Sequence, residues 1–463
     1  KWKYNRASFF GRLNYNYNDR YLVQATVRYD GSSKFAKDHR YAFFPSVSAA
    51  WRISEENFWQ PLKGWWNDMK IRGSYGSLGN QVMDDLGNFP YLATYGTNSS
   101  YNYLINGSKP VIVKAPGLVA PDFTWETVTQ MDFGFDASFL NNRLTGTFDW
   151  YRRNTKDMLV AGATLPATLG ASVPKSNSAD MKTIGWELSL GWNDRLENGF
   201  SYWVKGVLSD YQATITKYAG NDAGFYSQSD GDGKYYVGQK IGEIWGYHSN
   251  GLFQSDDEAA TIDQSELYAG KWGAGDVKYE DLDNDGKITK GEETIYNPGD
   301  KSIIGNKTPR YQFGITVGFD YKNFDFEMFW QGTGKRDYML SGAQFWGFTS
   351  QWDVPYTPAL DYWTETNTDA YFPRPGWQNG GNRVTSDRYL QSAAYGRLKN
   401  LTVGYTIPKN LTTKWGISRL RLYVTGENLL TITPLNDAFD PETLGGMTYP
   451  INRKVAIGLN LTL

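Results

Sequence analysis

Apolar and polar residues alternate along many segments of this chain. In YQFGITVGFDY (311–321) every second residue is apolar, and the residues between them are polar or glycine. NFDFEMFWQG (323–332) follows the same rule with Phe329 as an exception, and VAIGLNLTL (455–463) follows it to the end. Because successive side chains of a strand point to opposite faces, this alternation predicts strands with two different faces.

The alternation predicts thirteen strands, and no helical pattern of comparable length is present. One face of these strands carries apolar side chains. The opposite face includes Arg12, Asn14, Gln24, Arg28, Asp132, Asp136, Glu187, Asp325 and Glu327. The predicted strands cover residues 6–18, 20–30, 41–53, 68–78, 125–139, 143–156, 183–195, 199–215, 309–322, 324–336, 389–407, 419–430 and 450–463.

The connectors between these strands tend to alternate in length. There are three exceptions to this alternation. One connector, 31–40, is short for an outer loop, and two connectors, 54–67 and 408–418, are long for inner turns. All the very long connectors nevertheless fall at one end of the strands, and they are 79–124, 157–182, 216–308, 337–388 and 431–449. This rhythm predicts an all-β transmembrane antiparallel up-and-down barrel in the bacterial outer membrane, with short periplasmic turns and long extracellular loops. A soluble propeller would repeat about every 40–50 residues, and no such repeat is found.

Thirteen is an odd number, whereas single-chain bacterial barrels have an even number of strands. If the last strand ends in the periplasm, the first predicted strand begins outside the cell. We therefore expect a preceding segment of the same protein that is absent from this sequence.

Composition excludes several functions. The formal net charge is −2, so a general nucleic-acid partner is not expected. The chain contains no cysteine, which excludes disulfides, thiolate metal sites and a cysteine nucleophile. No run of 18 apolar residues is present, so no transmembrane helix is expected.

The segment DLDNDGKITKGE (281–292) has the spacing of an EF-hand calcium loop. Gly286 provides the sharp turn, and oxygen ligands favour calcium over zinc or copper. The glycine-rich flanks do not predict helices, so we expect a structural ion in an extracellular loop; the alternative is a plain acidic turn. The expected ligands are Asp281, Asp283, Asp285, the carbonyl of Lys287, Thr289 and Glu292.

The connector 337–388 is rich in aromatic residues. Their faces could stack on sugar rings or cover a partner protein. The alternative is packing within an ordered loop or in the aromatic belt at the membrane surface. The candidates for a substrate or partner interface are Trp346, Trp352, Tyr362, Trp363 and Trp377.

Signatures of catalysis are missing from the sequence. The two histidines, His39 and His248, are far apart, and neither HExxH nor GxSxG occurs. The carboxylates of Asp256, Asp257 and Glu258 are expected to form a solvated loop. The sequence therefore predicts a protein that is not an enzyme.

Several separated stretches resemble one known family in family order. They are FFGRLNYNYNDRYLVQATVRYDGSSKF (9–35), RYAFFPSVSAAWRISEENFW (40–59), MKIRGSYGSLGNQ (69–81), FLNNRLTGTFDWYRRNTKDML (139–159), IGWELSLGWND (184–194), YLQSAAYGRLKNLTVGYTIP (389–408) and LYVTGENLLTITPLNDAFDPE (422–442). Together they resemble the C-terminal part of a SusC-like (SusC/RagA type) TonB-dependent outer-membrane transporter. One departure is the last residue, Leu463, where the family commonly ends in an aromatic residue.

The resemblance implies a barrel of about 22 strands with an N-terminal plug domain. Residues 1–463 would be the C-terminal portion of that barrel, about its last 13 strands, and the plug and earlier strands would lie outside this sequence. It also implies a SusD-like surface lipoprotein as a lid, contact with TonB through the missing N-terminal region, and a dimer of transporter–lipoprotein pairs as one form of assembly. The expected function is TonB-dependent active import of an oligosaccharide or peptide across the outer membrane.

Two other functions remain open from the residues. The first is a secreted or surface all-β protein that binds or degrades glycans, which would stay in aqueous solution rather than enter detergent micelles. The second is a passive porin, which needs neither a plug nor a TonB-binding segment.

Overall fold

The computed structural model describes residues 3–81, 87–98, 104–105, 107–109, 111–120, 122–163, 165–226, 235–444, 449 and 451–463. Its strands in chain order are β1 (Arg6–Tyr17), β2 (Tyr21–Ser32), β3 (Tyr41–Arg52), β4 (Trp66–Asn80), β5 (Gly96–Asn98), β6 (Ile112–Lys114), β7 (Glu126–Phe139), β8 (Leu144–Ala161), β9 (Lys175–Arg195), β10 (Ser201–Tyr218), β11 (Glu243–Tyr247), β12 (Ser249–Leu252), β13 (Val277–Tyr279), β14 (Lys301–Asn306), β15 (Arg310–Tyr321), β16 (Phe324–Lys335), β17 (Asp337–Met339), β18 (Leu390–Ser392), β19 (Tyr395–Thr406), β20 (Arg419–Ile432) and β21 (Lys454–Thr462).

Helices are short and lie in the connectors. The α-helices are α1 (Asp256–Ala259), α2 (Ala343–Trp346) and α3 (Lys409–Thr412). The 3₁₀ helices cover Lys37–His39, Ile53–Glu55, Asn57–Leu62, Ala167–Leu169, Thr357–Leu360, Gly380–Arg383 and Thr413–Trp415. Within the described residues, no helix has the length and apolar character needed to cross a membrane.

One antiparallel sheet of 13 strands contains β1–β4, β7–β10, β15, β16 and β19–β21, each paired with the next in chain order. This confirms the thirteen predicted strands and the up-and-down topology. Among the described residues, the other strands form four two-stranded ribbons in the long connectors: β5 with β6, β11 with β14, β12 with β13 and β17 with β18.

Three strand boundaries differ from the prediction by five or more residues. β8 continues to Ala161 and β9 begins at Lys175, because the two strands stay paired beyond the register shifts near Met158. β19 begins at Tyr395, because residues 390–392 pair with β17 in a separate ribbon. Local alternation reports which side chains share a face, but pairing partners decide where each strand ends.

The pairing register collects polar side chains into rows across the sheet. Asn14 lies opposite Gln24, which lies opposite Ser48, followed by Ser74 and Asp132 on the next two strands. Ion pairs such as Arg310–Asp210 and Arg421–Asp325 add to this polar face. A groove of about 510 Å³ on the same face is lined by residues that include Asn14, Gln24, Ser48, Arg72 and Asp132.

The opposite face of the sheet is apolar and exposed. Ile457 is 83% exposed and Leu459 is 61% exposed. Exposed apolar surface on this scale is unfavourable in water and favourable in a lipid bilayer. Further exposed members of this face are Phe9, Leu13, Val23, Val47, Ile71, Phe133, Leu190, Val204, Ile315, Val403 and Val424.

Exposed aromatic side chains lie at the end of the sheet that has the shorter turns. Tyr21 and Trp51 stack with ring centroids 6.4 Å apart, and both are exposed. Phe58 and Trp65 in the following connector are also exposed. An aromatic girdle of this kind is typical of the membrane–water interface.

A hydrophobic core lies outside the sheet, and the sequence analysis did not predict it. It joins three long connectors (219–309, 336–394 and 433–453), and we call it the loop core. Its buried members are Tyr247, Leu252, Val277, Tyr279, Ile288, Leu340, Phe345, Trp346, Phe372, Tyr389, Ala393, Leu435 and Leu444. These connectors therefore fold together as one packed unit at the end of the sheet opposite the aromatic girdle.

Candidate functional site

The aspartate-rich loop brings three predicted ligands together. The carboxylates of Asp281, Asp283 and Asp285 lie within 4.8 Å of one another. The N–H of Gly286 donates to Asp281 at 2.7 Å, and the N–H of Asp285 donates to both Asp281 and Asp283 at 3.2 Å. Gly286 has φ of +83°, a left-handed conformation that glycine adopts without strain. The loop thus brings carboxylate oxygens of all three aspartates close together.

The surroundings shift the pKa values of two carboxylates of this loop in opposite directions. Partial desolvation, followed by the charges of Asp285 and Asp300, raises the pKa of Asp283. Desolvation also acts to raise the pKa of Asp281, but backbone N–H donors, beginning with that of Gly286, outweigh it and hold that pKa below its ordinary value. Repulsion between neighbouring carboxylates would be relieved by a cation.

Two contacts attach the loop to the loop core. Ile288 is fully buried in that core. Its N–H donates to the carbonyl of Asp263 at 2.7 Å, and the N–H of Asp263 donates to the carbonyl of Gly286 at 3.0 Å. The position of the three carboxylates is therefore coupled to packing of the long connectors.

Asp300 is a further residue of this region that the sequence analysis missed. It is fully buried, and its carboxylate accepts hydrogen bonds from the N–H groups of Leu282 and Thr289, both at 2.7 Å. It thereby closes the loop from outside the twelve-residue motif. Asp300 lies outside the motif, and no sequence pattern connects it to the aspartate-rich loop.

The remaining predicted ligands are placed as follows. The N–H of Lys287 donates to Asp285 at 2.8 Å, and the carbonyl of Thr289 accepts from the N–H of Asp300 at 3.1 Å. The N–H of Glu292 donates to the carbonyl of Asn297 at 3.0 Å, and this hydrogen bond closes a short loop of the backbone. Among the described residues, the close carboxylate group contains the three aspartates and does not include Glu292.

The aromatic candidates divide into packed and exposed residues. Trp346 is 9% exposed and meets Tyr389 edge to face, with ring centroids 4.5 Å apart. Tyr362 and Trp363 are partly buried against the same loop core. The positions of these three residues favour the packing role that was the alternative in the sequence analysis.

Trp352 and Trp377 have exposed side chains, 83% and 47% respectively. Val354 and Leu360 are exposed near Trp352 in the sequence. Asp353 fixes this segment, because its carboxylate accepts from the N–H groups of Thr349 and Ser350 at 2.8 and 2.7 Å. The Thr349 hydroxyl also donates to this carboxylate and, with those N–H groups, holds the pKa of Asp353 below its ordinary value.

A charged network joins the polar face of the sheet to the connector 433–453. Arg397 is almost fully buried, and its guanidinium lies 2.5 Å from a carboxylate oxygen of Asp440 and 2.7 Å from one of Glu442. Lys399 also contacts Glu442 at 3.0 Å. A cavity of about 390 Å³ beside this network is lined by residues that include Arg397, Thr431, Phe439 and Asp440. Charged side chains of both signs thus line this cavity.

Comparison with known proteins gives consistent matches along the chain. A family model described as "TonB dependent receptor-like, beta-barrel" matches residues 1–429. A TonB-dependent receptor of Formosa agariphila is 30% identical over 476 residues, which cover 98% of this chain and 46% of that protein. The TonB-dependent receptor SusC of Bacteroides thetaiotaomicron is 29% identical over 462 residues, which cover 98% of this chain and 43% of that protein. The chain therefore spans about half the length of the curated relatives it matches.

Solved structures show the same fold. The RagAB peptide transporter matches with a TM-score of 0.78 and 23% identity, covering 99% of this chain and 48% of that chain. The RagAB peptide importer in its "open-open" state matches with a TM-score of 0.77.

Proposed function

Because this chain belongs to the TonB-dependent receptor β-barrel family, of the SusC/RagA type, and to the bacterial outer membrane, we propose that it imports a large polar nutrient. The substrate class is an oligosaccharide or a peptide. The observation that carries this proposal is the two-faced sheet, in which polar rows and ion pairs oppose an exposed apolar surface. Such a sheet suits lipid on one side and a polar passage on the other.

The whole importer includes more than this chain. In this proposal residues 1–463 supply the C-terminal portion of the barrel, and the rest of the importer supplies the plug domain and the earlier strands. TonB acts on that other part, and its pull opens the passage. Support comes from the relatives, of which this chain covers less than half.

A SusD-like surface lipoprotein serves as the lid in this proposal. The loop core gives the long connectors a fixed shape, so they offer a preformed surface for a partner. The exposed side chains of Trp352 and Trp377 are the anchors of that surface, because large aromatic residues contribute much of the binding energy at interfaces. A substrate held between lid and connectors then enters the polar passage.

The aspartate-rich loop binds a structural calcium ion in this proposal. Three close carboxylates supply hard oxygen ligands, and the buried carboxylate of Asp300 adds negative charge nearby. Extracellular calcium near 1 mM is sufficient for a site of modest affinity. The ion would hold the loop against the loop core and would not act as a signal.

Uptake by cells that carry the complete protein tests the proposed transport. Radiolabelled oligosaccharides and peptides are offered to strains with and without the protein, and with and without TonB. We expect accumulation of one class that needs both the protein and TonB. Uptake that persists without TonB would favour a passive porin, and recovery of the protein in the aqueous phase of a detergent partition would contradict the barrel.

A further inference from the structure

His248 lies between a serine and an aspartate in the long connectors. Its Nδ1 atom is 2.7 Å from Oδ2 of Asp387, and its Nε2 atom is 2.7 Å from Oγ of Ser302. Both ring nitrogens are therefore engaged, each by a different type of group. The side chains of His248 and Asp387 are 35% and 39% exposed, and Ser302 is partly exposed, so solvent reaches the edge of the arrangement.

The chemistry of the partners determines the direction of each hydrogen bond. A carboxylate only accepts, so Nδ1 of His248 carries a proton and donates to Asp387. In the neutral imidazole, Nε2 then has a free lone pair and accepts from the hydroxyl of Ser302. This is the relation of nucleophile, base and orienting carboxylate that activates a serine.

The backbone holds the three residues in place. Ser302 is on β14 opposite Gly246 of β11, and His248 follows directly after β11. Asp387 comes from a different connector, where its N–H donates to the carbonyl of Tyr247 at 3.1 Å. Its second carboxylate oxygen accepts from the N–H of Ser249 at 3.0 Å. The orienting carboxylate is thus positioned by two backbone contacts.

We propose that Ser302, His248 and Asp387 form a surface site that hydrolyses carboxylic esters, an activity additional to import. The Ser302 oxygen attacks the acyl carbon while its proton passes to Nε2 of His248. The carbon–oxygen bond to the alcohol breaks, and the alcohol leaves with that proton. Water then attacks the acyl-serine, again giving a proton to His248, and the carboxylic acid and free Ser302 are released.

An ester is the substrate class that this arrangement fits best. An alcohol leaves more readily than an amine, so ester cleavage needs less assistance beyond the nucleophile and the base. Acyl groups on incoming polar nutrients would be removed outside the cell, before passage through the barrel. The competing role is a hydrogen-bonded bridge between two connectors without reactivity.

A fluorophosphonate probe distinguishes reactivity from a bridge. The complete protein, purified in detergent, is incubated with the probe, and modified peptides are identified by mass spectrometry. Loss of fluoride should leave a phosphonyl group on Ser302. We expect His248→Gln, which keeps a polar side chain of similar reach, to slow modification by about 10²–10⁴-fold. Hydrolysis of p-nitrophenyl acetate should fall in parallel.

The matched control is Ser265→Ala. Ser265 lies in the same connector, but its side chain faces Asp263 rather than a histidine. We expect this variant to retain modification of Ser302 at the wild-type rate. Absence of a Ser302 adduct in the wild-type protein overturns the proposal, whatever the variants do to folding. An adduct that forms equally fast in His248→Gln overturns it as well. Import is measured separately, so failure of one proposal does not imply failure of the other.

Discussion

Arg72 on β4 and Asp149 on β8 form an ion pair across the strand that separates them. The guanidinium Nη2 donates to Oδ2 of Asp149 at 2.7 Å, over Gly134 of β7. All three residues are in register, because Arg72 pairs with Gly134 and Gly134 pairs with Asp149. A Cβ atom at Gly134 would overlap the Asp149 carboxylate and approach Cζ of Arg72 to 2.8 Å. The missing side chain therefore allows the ion pair to span three strands.

Replacing Gly134 by valine should separate Arg72 from Asp149. We expect this overpacking to lower the free energy of unfolding by about 1–3 kcal/mol, measured by urea denaturation in lipid vesicles. Gly206→Val is the matched control, because an added Cβ at Gly206 meets no atom within 4 Å. Equal losses in the two variants would contradict the role assigned to Gly134.

A lysine at Leu459 should be far more costly than a lysine at the neighbouring Asn460. Leu459 is on the exposed apolar face, and Asn460 is on the polar face beside Arg421. A lysine on the lipid face near the membrane midplane costs about 2–4 kcal/mol. The ratio of folded to unfolded protein on unheated gels reports the difference. Similar effects at both positions would show that the assigned faces are wrong.

Trp346 and Trp352 should respond in opposite ways to substitution by alanine. Trp346→Ala removes a buried ring from the loop core, so we expect a loss of about 3–5 kcal/mol in the stability of that unit. Trp352→Ala should leave stability nearly unchanged and weaken binding of the lipoprotein lid or the substrate. Hydrogen exchange measures the stability of the loop core. Co-purification measures binding of the lid, and an uptake assay measures the effect on the substrate. Normal lid binding and uptake by a Trp352→Ala, Trp377→Ala double variant would count against the proposed anchors.

Removal of calcium should loosen the aspartate-rich loop. Chelation is expected to increase amide exchange across 281–289, and Asp281→Asn combined with Asp283→Asn should have the same effect in the presence of calcium. Asp257→Asn serves as the control, because Asp257 lies in the same connector outside the carboxylate group. Elemental analysis that detects no bound calcium above about 1 mM calcium would reject the site.

The segment that carries Trp352 should depend on the charge of Asp353. Because its hydrogen-bond donors hold the pKa of Asp353 below the ordinary value, ionisation of Asp353 stabilises the folded segment. This stabilisation is fully present above the ordinary aspartate pKa of about 3.9, and it is lost as the pH falls through the lower, folded-state pKa. The Thr349 and Ser350 amides should therefore be strongly protected from exchange at neutral pH, compared with unprotected amides at the same pH. In strong acid this protection should decrease. Asp353→Asn should give fast exchange already at neutral pH.

Ser302, His248 and Asp387 are brought together only by the folding of distant segments. His248 is one of only two histidines, and its distance from His39 and the absence of HExxH and GxSxG motifs predict a protein that is not an enzyme. Its contact with Asp387 joins positions separated by 139 residues, and its contact with Ser302 joins positions separated by 54. No local motif encodes such contacts, because they depend on how two connectors fold and pack against each other.

The sequence by itself determined the thirteen strands, their two faces and the carboxylate spacing of 281–285. Each of these depends on side chains within a few positions of one another, where strand geometry and turn geometry dictate the outcome. Tertiary structure alone decided the loop core, the closure by Asp300, the burial of Trp346 and the ion pair across Gly134. Those features bring distant segments together, and their stability comes from desolvation and complementary charge that exist only after the chain has folded.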